Sequence, residues 1–86
     1  MRQYEKILKA LANSRRLEII KYIKEKKKAS VGDIAEHIKL SFKSTSRHLA
    51  VLSGADLVEK EQRSVSVYYS LAPKLVSMAK SIISQI

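Results

Sequence analysis

Apolar residues recur along this chain with two different periods, and the change of period divides it. Tyr4, Ile7, Leu8 and Leu11 fall at i, i+3, i+4 and i+7, one stripe of an amphipathic helix over about Arg2 to Ala12. Asn13 or Ser14 is placed to cap a second helix. In that helix Leu17, Ile19, Ile20, Tyr22 and Ile23 cover well over half the circumference, as in a central strut with neighbours on several sides. Glu25 to Ala29 reads as a basic connection. Ser30 and Asp33 stand in a Ser-x-x-Asp spacing close to a capping box and open a third helix, with Val31, Ile34, Ala35 and Ile38 inward. Lys39 to Ser41 make a three-residue turn. Phe42, Thr45, Leu49 and Leu52 then line one face of a fourth helix reaching Ser53, and two short helices joined this tightly have helix-turn-helix geometry.

Past a break at Gly54 to Asp56 the pattern alternates. Leu57 to Gln62 and Val65 to Leu71 read as two strands, with Val65, Val67, Tyr69 and Leu71 on one face and Ser66, Tyr68 and Ser70 on the other. The turn between them, around Arg63 and Ser64, has no glycine, which leaves its position open. Pro73 suits the first turn of a last helix to Ile86, striped by Leu75, Met78, Ala79, Ile82 and Ile86 and widened by Val76 and Ile83. The expected fold is therefore mainly α with a small β-hairpin: four helices, two strands and a fifth helix, the order of a winged helix-turn-helix. No repeat or linker interrupts it, so residues 1–86 form one domain, with the helix-turn-helix at about 30–53 and the wing at about 57–71.

With the inward face of the fourth helix fixed, a 100° step per residue puts Lys43, Ser44 and Arg47 on the opposite side and Ser46 and His48 at its edges. These are donor-rich side chains near a helix start. A major groove about 12 Å wide admits one α-helix, where Arg or Lys can hydrogen-bond guanine and Ser can serve several bases. Lys43 and Arg47 are the expected base readers, and Ser44 and Ser46 contact bases or phosphates. The alternative is a merely solvated polar face.

Charge alone does not decide between them, and its distribution shows that reading bases is not its main use. Seventeen Lys and Arg against eight Asp and Glu give a net +9, which calls for an anionic partner, nucleic acid first, or else a heavily solvated basic surface. The excess is lopsided: residues 1–28 carry ten basic and three acidic side chains, residues 29–86 seven and five. Lys26, Lys27 and Lys28 precede the third helix, whose start at Ser30 suits a phosphate, so they either anchor the DNA backbone or form a solvated linker. With no cysteine and two histidines, no Gly-rich phosphate loop and no paired carboxylates in an apolar setting, catalysis is not expected, nor is a cofactor. The charged start leads into no long apolar stretch, so a cytoplasmic protein without a membrane span is expected. A domain of this length buries only roughly 60 to 65% of its unfolded surface, so pairing with a second subunit would help it.

Several fragments share one likeness. Leu11-Ala12-Asn13-Ser14-Arg15-Arg16-Leu17-Glu18-Ile19-Ile20, Ser46-Arg47-His48-Leu49-Ala50-Val51-Leu52, Leu57-Val58 and Tyr68-Tyr69-Ser70-Leu71 resemble, in order and spacing, the ArsR/SmtB family of bacterial and archaeal regulators over nearly the whole chain. The resemblance implies a homodimeric transcription regulator of double-stranded DNA, in which the helices at about 2–12 and 73–86 pack across a two-fold axis. Tyr4, Ile7, Leu11, Leu75, Met78, Ile82 and Ile86 are the interface candidates, unless they only seal their own core. Two recognition helices about 34 Å apart would match a near-palindromic operator, and repression by blocking polymerase is the simplest consequence. The resemblance also implies that Lys60 and Arg63 of the wing reach phosphates or the minor groove, the alternative being ordinary hairpin charges beside Glu59 and Glu61, and gives His48 a DNA-proximal or structural role; Lys28 and Ser30, at the start of the third helix, are the other phosphate candidates. His37 reads as surface. The chain departs from the family where relatives bind metals: Ser30 and Gly32 stand at the thiolate site, and Pro73 to Ile86 contains no Asp, Glu or His. No metal site is expected, and no effector is assigned. Asp56 stands where relatives usually place Gly, which suggests local strain or a shifted helix end. Two rival functions are a sequence-tolerant architectural DNA-binding protein and a winged-helix module for protein interaction.

Overall fold

The computed structural model describes residues 1–86. Its elements are α1 (Arg2–Leu11), α2 (Ser14–Lys26), β1 (Ala29–Ser30), α3 (Val31–Ile38), α4 (Phe42–Gly54), β2 (Val58–Arg63), β3 (Ser66–Leu71) and α5 (Ser77–Ser84). The expected winged order is present with one addition. The segment read as a basic connection is shorter than expected: α2 continues to Lys26, and Ala29 and Ser30 pair with Tyr69 and Tyr68, making an antiparallel sheet of order β1-β3-β2. Two residues are too few for an alternating pattern to register.

The core grows outward from α2. Ile19, Ile20 and Ile23 are completely buried, together with Ile34 of α3 and Leu49 and Leu52 of α4. Asn13 caps α2, its side chain accepting from the Arg16 N–H at 3.1 Å, which settles the choice between Asn13 and Ser14. Ser30 and Ser41 cap α3 and α4 in the same way, accepting from Asp33 and Ser44. Each of these helices therefore starts where a small polar side chain satisfies an otherwise orphaned N–H.

Both helices of the helix-turn-helix end with the same device. The Leu40 N–H returns to the Ala35 carbonyl and the Leu57 N–H to that of Leu52, each at 3.0 Å. Such a closure needs a left-handed residue just before it, and Lys39 (φ 57°) and Asp56 (φ 59°) supply it. The strain expected at Asp56 is thus accepted, and the helix end is not shifted. The hairpin turn lies one residue later than expected, at Ser64-Val65 between the paired Arg63 and Ser66. Ser64 takes the left-handed conformation (φ 58°), and Val65, read as the first residue of the second strand, lies in the turn instead and is 94% exposed at the tip.

The last helix starts at Ser77, not Pro73. The Ala72 N–H donates to the Leu57 carbonyl at 3.0 Å, so sheet-like bonding continues past Leu71. Leu75 and the extended Val76 (φ −65°, ψ 152°) then pack on the core before the helix begins. Ala79 and Ile83 bury α5 against the body, and the Lys24 ammonium of α2 donates to the carbonyls of Ile83 and Ser84 at its C-terminus. A cation is favoured at that end of a helix dipole.

Thr45 is the one polar side chain in the interior, and its buried Oγ1 has no hydrogen-bond partner. An unpaired buried hydroxyl costs about 1 to 3 kcal/mol, and valine has the same shape and a similar helix propensity. Thr45→Val is expected to stabilise the fold by about 1 kcal/mol, read as a higher urea midpoint at unchanged slope. A lower midpoint would show that the hydroxyl is satisfied.

Candidate nucleic-acid interface

The face α4 presents follows from the face it buries. With Thr45, Leu49 and Leu52 at 0% exposure, Lys43 and Arg47 stand in solvent, and neither is held by an ion pair. The helix carries no Asp or Glu, so nothing of its own neutralises them. Ser44 and Ser46 are half-buried. Phe42 departs from the expected inward face: it is 62% exposed. It stands at the first position of the helix, beyond the body its stripe packs on, so the periodicity that names it a core residue has no core to reach.

Phe42 and Ser46 instead line a cleft of about 380 Å³ between α4 and the wing, closed by Ser30, Val31 and Gly32 and by Lys60, Val67 and Tyr69. Lys60 pairs across the sheet with Tyr69, so it shares the inner face and turns toward α4. It has no ion-pair partner. Arg63 and Lys28 differ. Both meet Glu61, Arg63 Nε at 3.3 Å and Lys28 Nζ at 2.9 Å, and these bonds and charges hold the Glu61 carboxyl below its usual range, the Lys28 hydrogen bond most of all. The other two lysines of the run also have definite places: Lys26 lies over the Tyr22 ring, 5.9 Å from its centroid, and Lys27 is the left-handed residue ending α2 (φ 72°). The run is therefore not a free linker. Ser30, expected beside a phosphate, uses its hydroxyl oxygen in the α3 cap.

His48 is on the flank of α4 toward α2, where the Arg16 guanidinium meets its Nδ1 at 3.3 Å. The same guanidinium donates to the carbonyls of Ala10 (2.6 Å) and Lys9 (3.1 Å). One side chain thus ties the end of α1 to α4, while neighbouring Arg15 donates to the Ile38 carbonyl at the end of α3. Burial first, then the Arg16 and Arg15 charges, lower the His48 pKa below its ordinary 6.5, so the ring is neutral at neutral pH and accepts from Arg16. Sequence periodicity finds neither contact; the adjacent Arg15-Arg16 pair at a helix start was the one signal for them. His37, expected as plain surface, stacks on Tyr22 with ring centroids 4.2 Å apart.

On the opposite side, Ile7 and Leu11 are 3% and 5% exposed within the single chain. They face their own core, which corrects their place among the interface candidates. The outer surface of α1 is Met1, Tyr4 and Leu8, around a shallow depression of about 570 Å³ that Ala12 also lines. Leu75, Met78, Ile82 and Ile86 are half-buried. No three His, Cys, Asp or Glu side chains come together in a group that could hold a metal ion.

Residues 13–60, which hold the helix-turn-helix and the start of the wing, match the family described as bacterial regulatory protein, arsR family. The chain belongs to the arsR family. Among its relatives, the arsenical resistance operon repressor of Bacillus subtilis is 37% identical over 71 residues, 83% of this chain and 68% of that protein. The transcriptional activator HlyU of Vibrio cholerae is 36% identical over 66 residues, and the aligned part is 60% of its length. The solved structure of that HlyU superposes with a TM-score of 0.84 at 31% identity, covering 96% of this chain and 86% of that one. A homodimeric winged helix-turn-helix DNA-binding domain from Mycobacterium bovis gives 0.83 at 26% identity, covering 96% and 73%. The arsR-family architecture thus extends over α1 and α5 as well as the matched segment.

Because the His48 pKa is lower in the folded chain than in the unfolded one, the stabilisation is complete above the unfolded value and is lost as pH falls through the folded one. Lowering pH from about 7.5 to 5.5, across the ordinary imidazole range, is expected to reduce the urea midpoint more in the native chain than in His48→Gln. The variant keeps an acceptor that does not titrate. Equal losses would remove His48 from the pH response.

Proposed function

We propose that this arsR-family chain is a homodimeric transcription regulator that binds a near-palindromic site in double-stranded DNA and represses by occluding it. The observation that carries the reading is the outward pair Lys43 and Arg47, free of carboxylates, on a helix whose other face is buried. Such a helix can enter the major groove with its first two turns against base edges. Ser44 and Ser46 border that face, Lys60 and the wing tip extend it, and His48 supports it from behind. His48 is thereby a positioning residue more than a base contact. Lys28, Ser30 and Arg63 belong to the phosphate-facing rim.

The second subunit is favoured by the apolar outer surface of α1, where Tyr4 and Leu8 are 44% and 48% exposed, and by Met78, Ile82 and Ile86 at the C-terminal end, which their own chain only half buries. The M. bovis domain, a structural neighbour, is described as homodimeric. Leu8→Glu is expected to leave the fold intact and shift the chain to monomers in sedimentation at micromolar concentration. A dimer of unchanged strength would move the interface off α1. The relatives include a repressor and an activator, and repression is the simpler outcome of a dimer covering its site.

Selection from a random duplex pool followed by competition tests the central reading. A regulator should prefer its selected site over bulk DNA by about 10³ or more. In Arg47→Ala, discrimination at one base position per half-site should fall by about 1 to 3 kcal/mol. A uniform loss on all sequences would reassign Arg47 to phosphate, a preference well below 10³ would favour the architectural reading, and no binding at low salt would favour a protein-interaction module.

A further inference from the structure

We infer that Glu61 limits the sequence-independent part of DNA binding by holding Lys28 and Arg63, the cations on either side of it on the outer face of the wing, away from phosphates. The inference rests on the DNA-binding reading above. Both carboxylate oxygens are engaged, Oε1 by Lys28 at 2.9 Å and Oε2 by Arg63 at 3.3 Å. The two cations come from opposite edges of the sheet. Arg63 lies two residues from Glu61 on β2 and so shares its face. Lys28 precedes β1 on the far edge and must cross the outer surface of β3 to reach the carboxylate.

Stability does not account for this arrangement. The three side chains are 39%, 52% and 61% exposed, and solvent screening leaves exposed pairs of this kind little to contribute to folding. A polyanion changes the balance. Each phosphate a cation neutralises adds about 0.9 to the salt slope of binding, and here each such contact must break a pair and bring a carboxylate up to the DNA. Phosphate contacts carry no sequence information, so restraining them while Lys43 and Arg47 stay free raises preference for the specific site. Glu59 is the internal control: it lies on the same strand and face as Glu61 and has no ion-pair partner.

The test is a salt titration of native chain, E61Q and E59Q on two duplexes of equal length, one selected by the native chain from a random pool and one scrambled. E61Q should bind the scrambled duplex more tightly at low salt, with a slope steeper by up to about 2 units, so that its advantage shrinks about tenfold between 50 and 200 mM salt. Its gain on the selected duplex should be no larger, so the specificity ratio falls. E59Q should produce less than half the change in slope. Adding Lys28→Met and Arg63→Met to E61Q should return the slope to the native value or below. An unchanged slope in E61Q, or equal effects of E61Q and E59Q, would overturn the inference while leaving the DNA-binding reading standing. Absence of binding by the native chain to either duplex would overturn both. Thermal melts of each variant by circular dichroism separate a folding defect from a binding effect.

Discussion

The burial of Leu49 and Leu52 beside the isoleucines of α2 is the constraint on which the rest depends. Two consecutive turns of α4 place a large side chain at 0% exposure, and a helix anchored at two such points cannot rotate about its axis without opening a cavity that costs about 2 to 5 kcal/mol per leucine. Its outward face is therefore fixed as firmly as its inward one. Lys43 and Arg47 need no contacts of their own to be aimed. Arg16 and Arg15 add direction at the ends of this assembly: they bind the last carbonyls of α1 and α3, so the helices around α4 are tied by charge-assisted bonds as well as by packing.

Net charge gives a poor map of where DNA would sit. Of the seventeen basic side chains, many are already engaged within the chain. Arg15 and Arg16 cap helices, Lys24 closes α5, and Lys28 and Arg63 share Glu61. The lopsided surplus in residues 1–28 is partly structural cement. What distinguishes the proposed recognition face is the absence of acid from α4, a local property that a total of +9 conceals. A surface with few cations, all free, and a rim with more cations, some restrained, differ in how they divide binding between base edges and phosphates.

The helical elements were legible because their signals are local. The caps at Asn13 and Ser30 and stripes at 3.6-residue spacing depend on neighbours in sequence, and Thr45, Leu49 and Leu52 fix the α4 face even though Phe42 leaves the stripe. The misreadings share a cause: each depends on where the body of the protein ends. Phe42 and Val65 extend a helix stripe and a strand face into positions where no core lies beneath them, and Ile7 and Leu11 belong to a stripe that the single chain already buries. Pro73 is a good first helical residue, but the bond from Ala72 to Leu57 and the packing of Leu75 and Val76 on the core keep the chain out of the helix until Ser77. The Glu61 bridge required knowing that β1 exists, since only the third strand brings Lys28 within reach.

The backbone shows what this small fold must offset. Four residues take left-handed φ values, Lys27, Lys39, Asp56 and Ser64, and neither glycine does. A left-handed residue with a side chain costs about 1 to 2 kcal/mol. The four together are therefore comparable to the whole net stability of about 5 to 15 kcal/mol usual for a domain. Lys27, Lys39 and Asp56 stand at the junctions that set the mutual orientation of α2, α3, α4 and the wing, and Ser64 at the wing tip, so the strain is concentrated in the part that would meet DNA. A chain with this much to offset and an unfilled apolar surface on α1 has most to gain from a second subunit. Dimerisation would stabilise the fold through α1 and α5, far from the strained turns, and leave the geometry of the binding face unchanged.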